Sequence, residues 1–166
     1  MLIGRSKQQV FGYIKAKVQD KLQGWKRHLL SPPRKAVLIK SVAMALPTYT
    51  MSCFKLPKVL CKDIGKMVAK FWWGNGESKR RMHWTSWEKM SHVKGRGGLG
   101  VRDIEKFNDA LLAKQLWRML TQPNLLVSRV MRSKYLGRAQ DWDKDPPKAS
   151  SWIWKSLMGT RKLLNK

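Results

Sequence analysis

After Ser6, a residue type suited to a helix N-cap, Val10, Ile14, Val18, Leu22, Trp25 and Leu29 recur at spacings of four and three. That single apolar stripe at helical period predicts a helix to about Leu30, weakened but not abolished by Gly12 and Gly24. Lys17, Lys21 and His28 share one flank of it, Lys15 and Lys26 another. Ser31-Pro32-Pro33 stops this helix and can start a second, because proline suits a first helical turn. The second runs through Ala36, Val37, Val42 and Ala45 and ends at Pro47. A third is predicted from Pro57, with Leu60, Ile64, Met67, Val68 and Phe71 as its stripe and Trp72-Trp73-Gly74 as its close.

From Gly74 to Arg81 the chain is polar and basic and reads as a loop, followed by a short helix carrying Trp84 and Trp87. Gly95 to Gly100 is a second loop. A long helix from about Asp103 to Thr121 carries Phe107, Leu111, Leu112, Leu116, Met119 and Leu120, and another from Pro123 carries Leu126, Val130 and Met131 to Tyr135. Residues 137–150 are polar, and a last helix from about Ser151 carries Trp152, Ile153, Leu157 and Leu164. No segment alternates with period two for long. The expectation is an all-α, compact array of about six to seven helices with few or no strands. Residues 1–136 would form the main domain, with the loop and helix of 137–166 appended to the same core.

The composition supplies the partner. Of 166 residues, 43% are hydrophobic, enough for a core. Lys and Arg number 35 against 10 Asp and Glu, a net charge of +25, and the first 62 residues contain one acid, Asp20. Charge of this size repels itself until a polyanion neutralises it; nucleic acid is the first candidate and an anionic membrane surface the second. No run approaches the roughly twenty apolar residues of a membrane span. The basic, amphipathic stretch from Met1 to Gln19 has the character of a mitochondrial transit peptide, yet arginine and serine are sparse and its apolar stripe reads as core packing. Cys53 and Cys61 cannot make a disulfide framework. With His28, His83 and His92 they offer no metal-ligand spacing, so no metal and no cofactor is expected. Two reduced, buried thiols suit an intracellular protein.

Catalytic patterns fail one by one. Gly95, Gly97 and Gly100 satisfy G-x-G-x-x-G, but the preceding segment is helical and tryptophan-rich, and Leu120 stands where a ribose-binding acid belongs. A milder role survives for Arg96, Gly97 and Gly98, contact of a phosphate at a helix start; the alternative is a turn that sets the helix angle. Asp141, Asp143 and Asp145 begin like a calcium loop, but Pro146 replaces the glycine and Trp152 the bidentate glutamate. There is no nucleophile motif, and ten acids equip the chain badly for two-metal chemistry. Lys79-Arg80-Arg81-Met82-His83-Trp84 and Trp25-Lys26-Arg27 instead combine cations with aromatics. Core packing is the better reading for Trp25, Trp84 and Trp87, and phosphate contact for the cations.

Ile3-Gly4-Arg5-Ser6-Lys7, Leu22-Gln23-Gly24-Trp25-Lys26, Val37-Leu38-Ile39-Lys40-Ser41-Val42 and Ala45-Leu46-Pro47-Thr48-Tyr49 stand in the order seen in plant LINE-type retrotransposon reverse transcriptases. So do Met51-Ser52-Cys53-Phe54, Phe71-Trp72-Trp73-Gly74, Gly97-Gly98-Leu99-Gly100-Val101-Arg102-Asp103 and Phe107-Asn108-Asp109-Ala110-Leu111-Leu112-Ala113-Lys114. The chain resembles that family over nearly its whole length, most clearly to about Leu136. It is also similar to short open reading frames of this origin in plant mitochondrial genomes.

The resemblance implies a helical thumb and the connection after it. In that family such a stretch follows the fingers and palm and precedes zinc-binding and ribonuclease H-like segments. The palm's Tyr-x-Asp-Asp motif and the acids of a nuclease are absent from this sequence, so no enzyme activity is expected, and Met1 would be an internal start or a truncation. Thumb helices of polymerases grip the template–primer backbone, in agreement with the charge. The expected function is sequence-independent binding of RNA or RNA–DNA hybrid through Arg5, Lys7, Lys15, Lys17, Lys21, Lys26 and Arg27, with Lys79, Arg80 and Arg81. The alternatives are a protein-interaction module, docking on a polymerase palm or another polypeptide, and a transposon remnant without function. Nucleus and plant mitochondrion are both open as compartments.

Overall fold

The computed structural model describes residues 7–26, 30–74, 86–92, 94–136 and 142–164. Among these, every regular element is helical and there is no strand, as the periodicity predicts. The elements are α1 (Lys7–Lys26), α2 (Pro32–Leu38), α3 (Thr48–Cys53), α4 (Lys58–Trp73), α5 (Trp87–Met90), α6 (Ile104–Thr121), α7 (Leu126–Tyr135) and α8 (Trp152–Met158). A π-helical turn (Ile39–Ala43) and two 3-10 turns (Lys94–Arg96 and Arg161–Leu163) accompany them. The chain divides into two compact units, one of residues 1–48 and 56–107, the other of residues 49–55 and 108–166.

In the first unit α1 buries Phe11, Ile14, Val18 and Leu22, and α4 buries Leu60, Cys61, Ile64, Val68 and Phe71. The two helices run side by side in the same direction, linked by Lys15 to Asp63 towards their middles and by Trp25 tilted on Phe71, ring centroids 5.8 Å apart, near their C-terminal ends. Val10 and Met67, expected in these stripes, are half-buried, and Phe11 and Cys61 take the inner positions. Leu29 lies outside the described residues. Gly74 closes α4 with φ +77°, a backbone region that favours glycine.

The second predicted helix needs correcting. It does not continue regularly to Pro47. The Met44 N–H reaches back five residues to the Ile39 carbonyl at 2.9 Å, opening a π turn. One extra residue per turn rotates the inner face, so Ile39, Ala43 and Met44 are buried while Val37 and Ala45 are exposed. Trp84 of the predicted short helix lies outside the described residues, and α5 begins at Trp87.

The second unit is organised around Trp154. Leu116, Trp154 and Met158 form one buried cluster, and Leu112, Met119 and Leu157 another. Tyr135 stacks on Trp154 at 4.8 Å, and Trp142 packs on it tilted at 6.0 Å. Ser151 caps α8 by accepting from the Trp154 N–H at 3.3 Å. α3 was not foreseen by periodicity; its end is sealed by Asn108, whose amide donates to the carbonyls of Met51 (2.7 Å) and Phe54 (3.0 Å). α7 departs from expectation in part: Met131 packs inward as expected, but Leu126 and Val130 face solvent, and Ser128, Arg132 and Tyr135 turn inward. Arg132 donates to the last carbonyls of α6, Met119 at 2.8 Å and Leu120 at 3.2 Å, which puts that polar face against the helix end.

Candidate nucleic-acid interface

Several predicted cations stand on α1. Lys7, Lys17 and Lys21 are exposed. Tyr13, Lys17 and Lys21 follow one another at single-turn intervals, and the Lys17 ammonium lies 5.6 Å from the Tyr13 ring centroid. Lys15 is employed differently: its Nζ donates to Asp63 Oδ2 at 2.7 Å. That hydrogen bond, with the charges of Lys15 and Lys66 beside it, holds the Asp63 carboxyl below its ordinary range despite some desolvation. Arg5, Arg27, Lys79, Arg80, Arg81 and the side chain of Lys26 lie outside the described residues.

The glycine loop doubles back on α5. The Leu99 N–H donates to the Met90 carbonyl and the Gly100 N–H to the His92 carbonyl, both at 2.7 Å. Gly98 fits only because it lacks a side chain: a Cβ there would stand 2.0 Å from the His92 oxygen. Gly97 and Gly100 have φ +75° and +65°. Arg96 is exposed and shares a small recess with Lys89 and His92. The start of α6 is separated from this loop by Val101 to Asp103, and the Asp103 carboxylate accepts from the Lys106 N–H at 2.8 Å.

A row of cations on α4 escaped the sequence reading. Lys58, Lys62, Lys66 and Lys70 recur at every fourth residue and are all exposed. At 1.5 Å rise per residue the row spans about 18 Å. Lys58 pairs with Glu105 at 3.1 Å, whereas Lys62 and Lys70 make no ion pair among the described residues. The signal was present in the sequence, because the lysines alternate with the buried stripe of the same helix. Attention to the apolar positions alone passes over it.

Beside this row the first unit holds a groove of about 910 Å³. Met44, Val68, Val101 and Ile104 give it an apolar floor. Lys62, Lys66, Arg102 and Lys106 also line it, with the half-buried rings of Trp87 and Phe107. The Arg102 guanidinium sits 4.5 Å from the Phe107 ring centroid. The acids on the lining, Asp103 and Glu105, are the helix cap and the partner of Lys58.

Among the described residues no group of His, Cys, Asp and Glu could hold a metal ion, and no helix is long and apolar enough to cross a membrane. Burial pushes the Cys53 thiol above its ordinary range, which disfavours the reactive thiolate. Asp145 approaches Arg161 at 3.7 Å, as a solvated loop residue would.

No family model and no solved structure matches this chain. It is 43% identical over 124 residues to "Uncharacterized mitochondrial protein AtMg00310" of Arabidopsis thaliana, a match covering 74% of this chain and 80% of that protein. It is 33% identical over 155 residues to "Putative ribonuclease H protein At1g65750" of the same plant, covering 92% of this chain. The chain spans only 25% of that longer relative.

Proposed function

The chain belongs to the same family as the Arabidopsis mitochondrial protein, and from that premise we propose that it is a retrotransposon-derived segment that binds RNA or RNA–DNA hybrid through phosphates. Binding is independent of sequence, and the segment carries no chemistry of its own. Descent from the thumb and connection of a LINE-type reverse transcriptase is supported by the ordered blocks of resemblance. The alignment with one quarter of a longer relative named for ribonuclease H supports it too. The site of action is the mitochondrion or the nucleus, and a polymerase palm is a further partner in this reading.

The observation that carries the proposal is the lysine row of α4, set in a chain of net charge +25. Each phosphate-contacting cation releases counterions, contributing about 0.7 to 0.9 to the slope of log affinity against log salt. Replacing Lys62, Lys66 and Lys70 together by Gln, whose helix propensity matches that of Lys, should flatten the slope by about 2 to 3. The helical signal in circular dichroism should stay unchanged. An unaltered slope in a folded triple variant overturns the assignment.

A second reading, docking of another polypeptide, is favoured by one observation: Trp117, Leu126, Val127 and Val130 expose large apolar surface on the second unit. Self-association that rises with concentration and ignores salt would support it over phosphate binding.

A further inference from the structure

We infer that the groove of the first unit takes an unpaired nucleotide of a single-stranded nucleic acid, its base on the apolar floor and its flanking phosphates on Lys62, Lys66, Arg102 and Lys106. The inference rests on the nucleic-acid reading above and narrows it to one place and one form of ligand. A duplex presents phosphate and sugar to a helix surface, and cations alone meet that need. An apolar trough bordered by cations suits a different shape, a flat base between two charged groups. Unpaired bases offer a π-face that stacks on aromatic rings, and Trp87 and Phe107 both border the trough.

Charge complementarity points the same way. Four cations line the groove against two acids, Asp103 and Glu105. Both acids are engaged within the fold, one capping α6 and the other holding Lys58. The volume of about 910 Å³ admits a nucleotide with room for its neighbours' backbone. Gly65 helps keep the trough open: it lines the groove, and a Cβ placed there would meet nothing within 4 Å.

That empty position supplies the test. Gly65→Leu adds a side chain to open space and favours the helix, so it fills the groove without removing a charge. Ala69→Leu, one turn further along the same lining, is the second filler and keeps the test readable if the first does not fold. Purified full chain is titrated into a fluorescent oligouridylate, an oligothymidylate of equal length and an RNA duplex, with circular dichroism confirming each variant's fold. The filled variants should bind the single strands at least about tenfold more weakly. The duplex should bind within twofold of wild type. Comparison of the two single strands then tells whether the 2′-hydroxyl is read.

Unchanged binding of both single strands to the filled variants overturns the groove assignment. If the Lys62, Lys66 and Lys70 variant still weakens all probes, phosphate binding survives without it. If that variant too binds everything as wild type does, both readings fall together. An acidic amphipathic peptide that binds wild type but not the filled variants, with the single strands unaffected, overturns the inference in favour of a protein ligand.

Discussion

In the second unit Asn108 ties the start of α6 to the end of α3. It is fully buried, and its amide nitrogen donates to two carbonyls at and just beyond the end of α3, Met51 at 2.7 Å and Phe54 at 3.0 Å. Asn108→Ala removes both donors at once. A stranded buried acceptor costs about 1 to 3 kcal/mol, and two at the low end of that range plus a small void give a loss of about 3 kcal/mol. Urea unfolding followed by tryptophan fluorescence reads it directly, since Trp142 and Trp154 lie in the core of the same unit. Asn108→Asp sharpens the test. A carboxylate facing two carbonyls resists ionising, so its folded pKa lies above the unfolded one. Stability of that variant therefore falls as pH rises through the carboxylate range and recovers on acidification. A loss below about 1 kcal/mol for Asn108→Ala, or no acid recovery for Asn108→Asp, would refute the reasoning.

Gly98→Ala should cost about 2 to 4 kcal/mol, because a Cβ 2.0 Å from the His92 oxygen forces apart the backbone bonds of Leu99 and Gly100. Thermal melts read the loss, and a melting point equal to wild type would show that the loop can re-route. At Asp63 the folded pKa lies below the unfolded one, so the Lys15 hydrogen bond contributes stability above the ordinary carboxylate range, lost as pH falls through the folded pKa. Asp63→Asn should therefore melt below wild type at neutral pH and converge with it in acid; a constant gap across pH would contradict this.

The apolar stripes of α1 and α4 were legible because each helix packs one continuous face against the other, and spacing of three and four reports that face directly. α2 was misread where the π turn at Ile39 to Ala43 changes the period, since no window of fixed period registers one inserted residue. α7 was misread for the opposite reason. Its inner positions include Ser128, which is buried, and Arg132, which donates to the carbonyls of Met119 and Leu120 in α6, while Leu126 and Val130 face outward. α3 is too short for periodicity, and what closes it is Asn108, some 57 residues along the chain. On the functional side, the net charge of +25 is legible from composition alone, and Lys17 and Lys21 stand exposed on α1. The α4 row and the groove needed the fold: the row becomes one surface only when Leu60, Ile64 and Val68 are turned inward, and the groove joins residues 44 to 107.

The most direct test of phosphate binding is the affinity of the purified wild-type chain for hairpin RNA, RNA–DNA hybrid and duplex DNA across a salt series. Three or more phosphate contacts predict a linear log–log slope of magnitude at least about 2 to 3, with RNA or hybrid bound more tightly than duplex DNA at physiological salt. Equal and weak binding to all three, abolished by moderate salt, would contradict it and leave only a basic protein that adheres to polyanions.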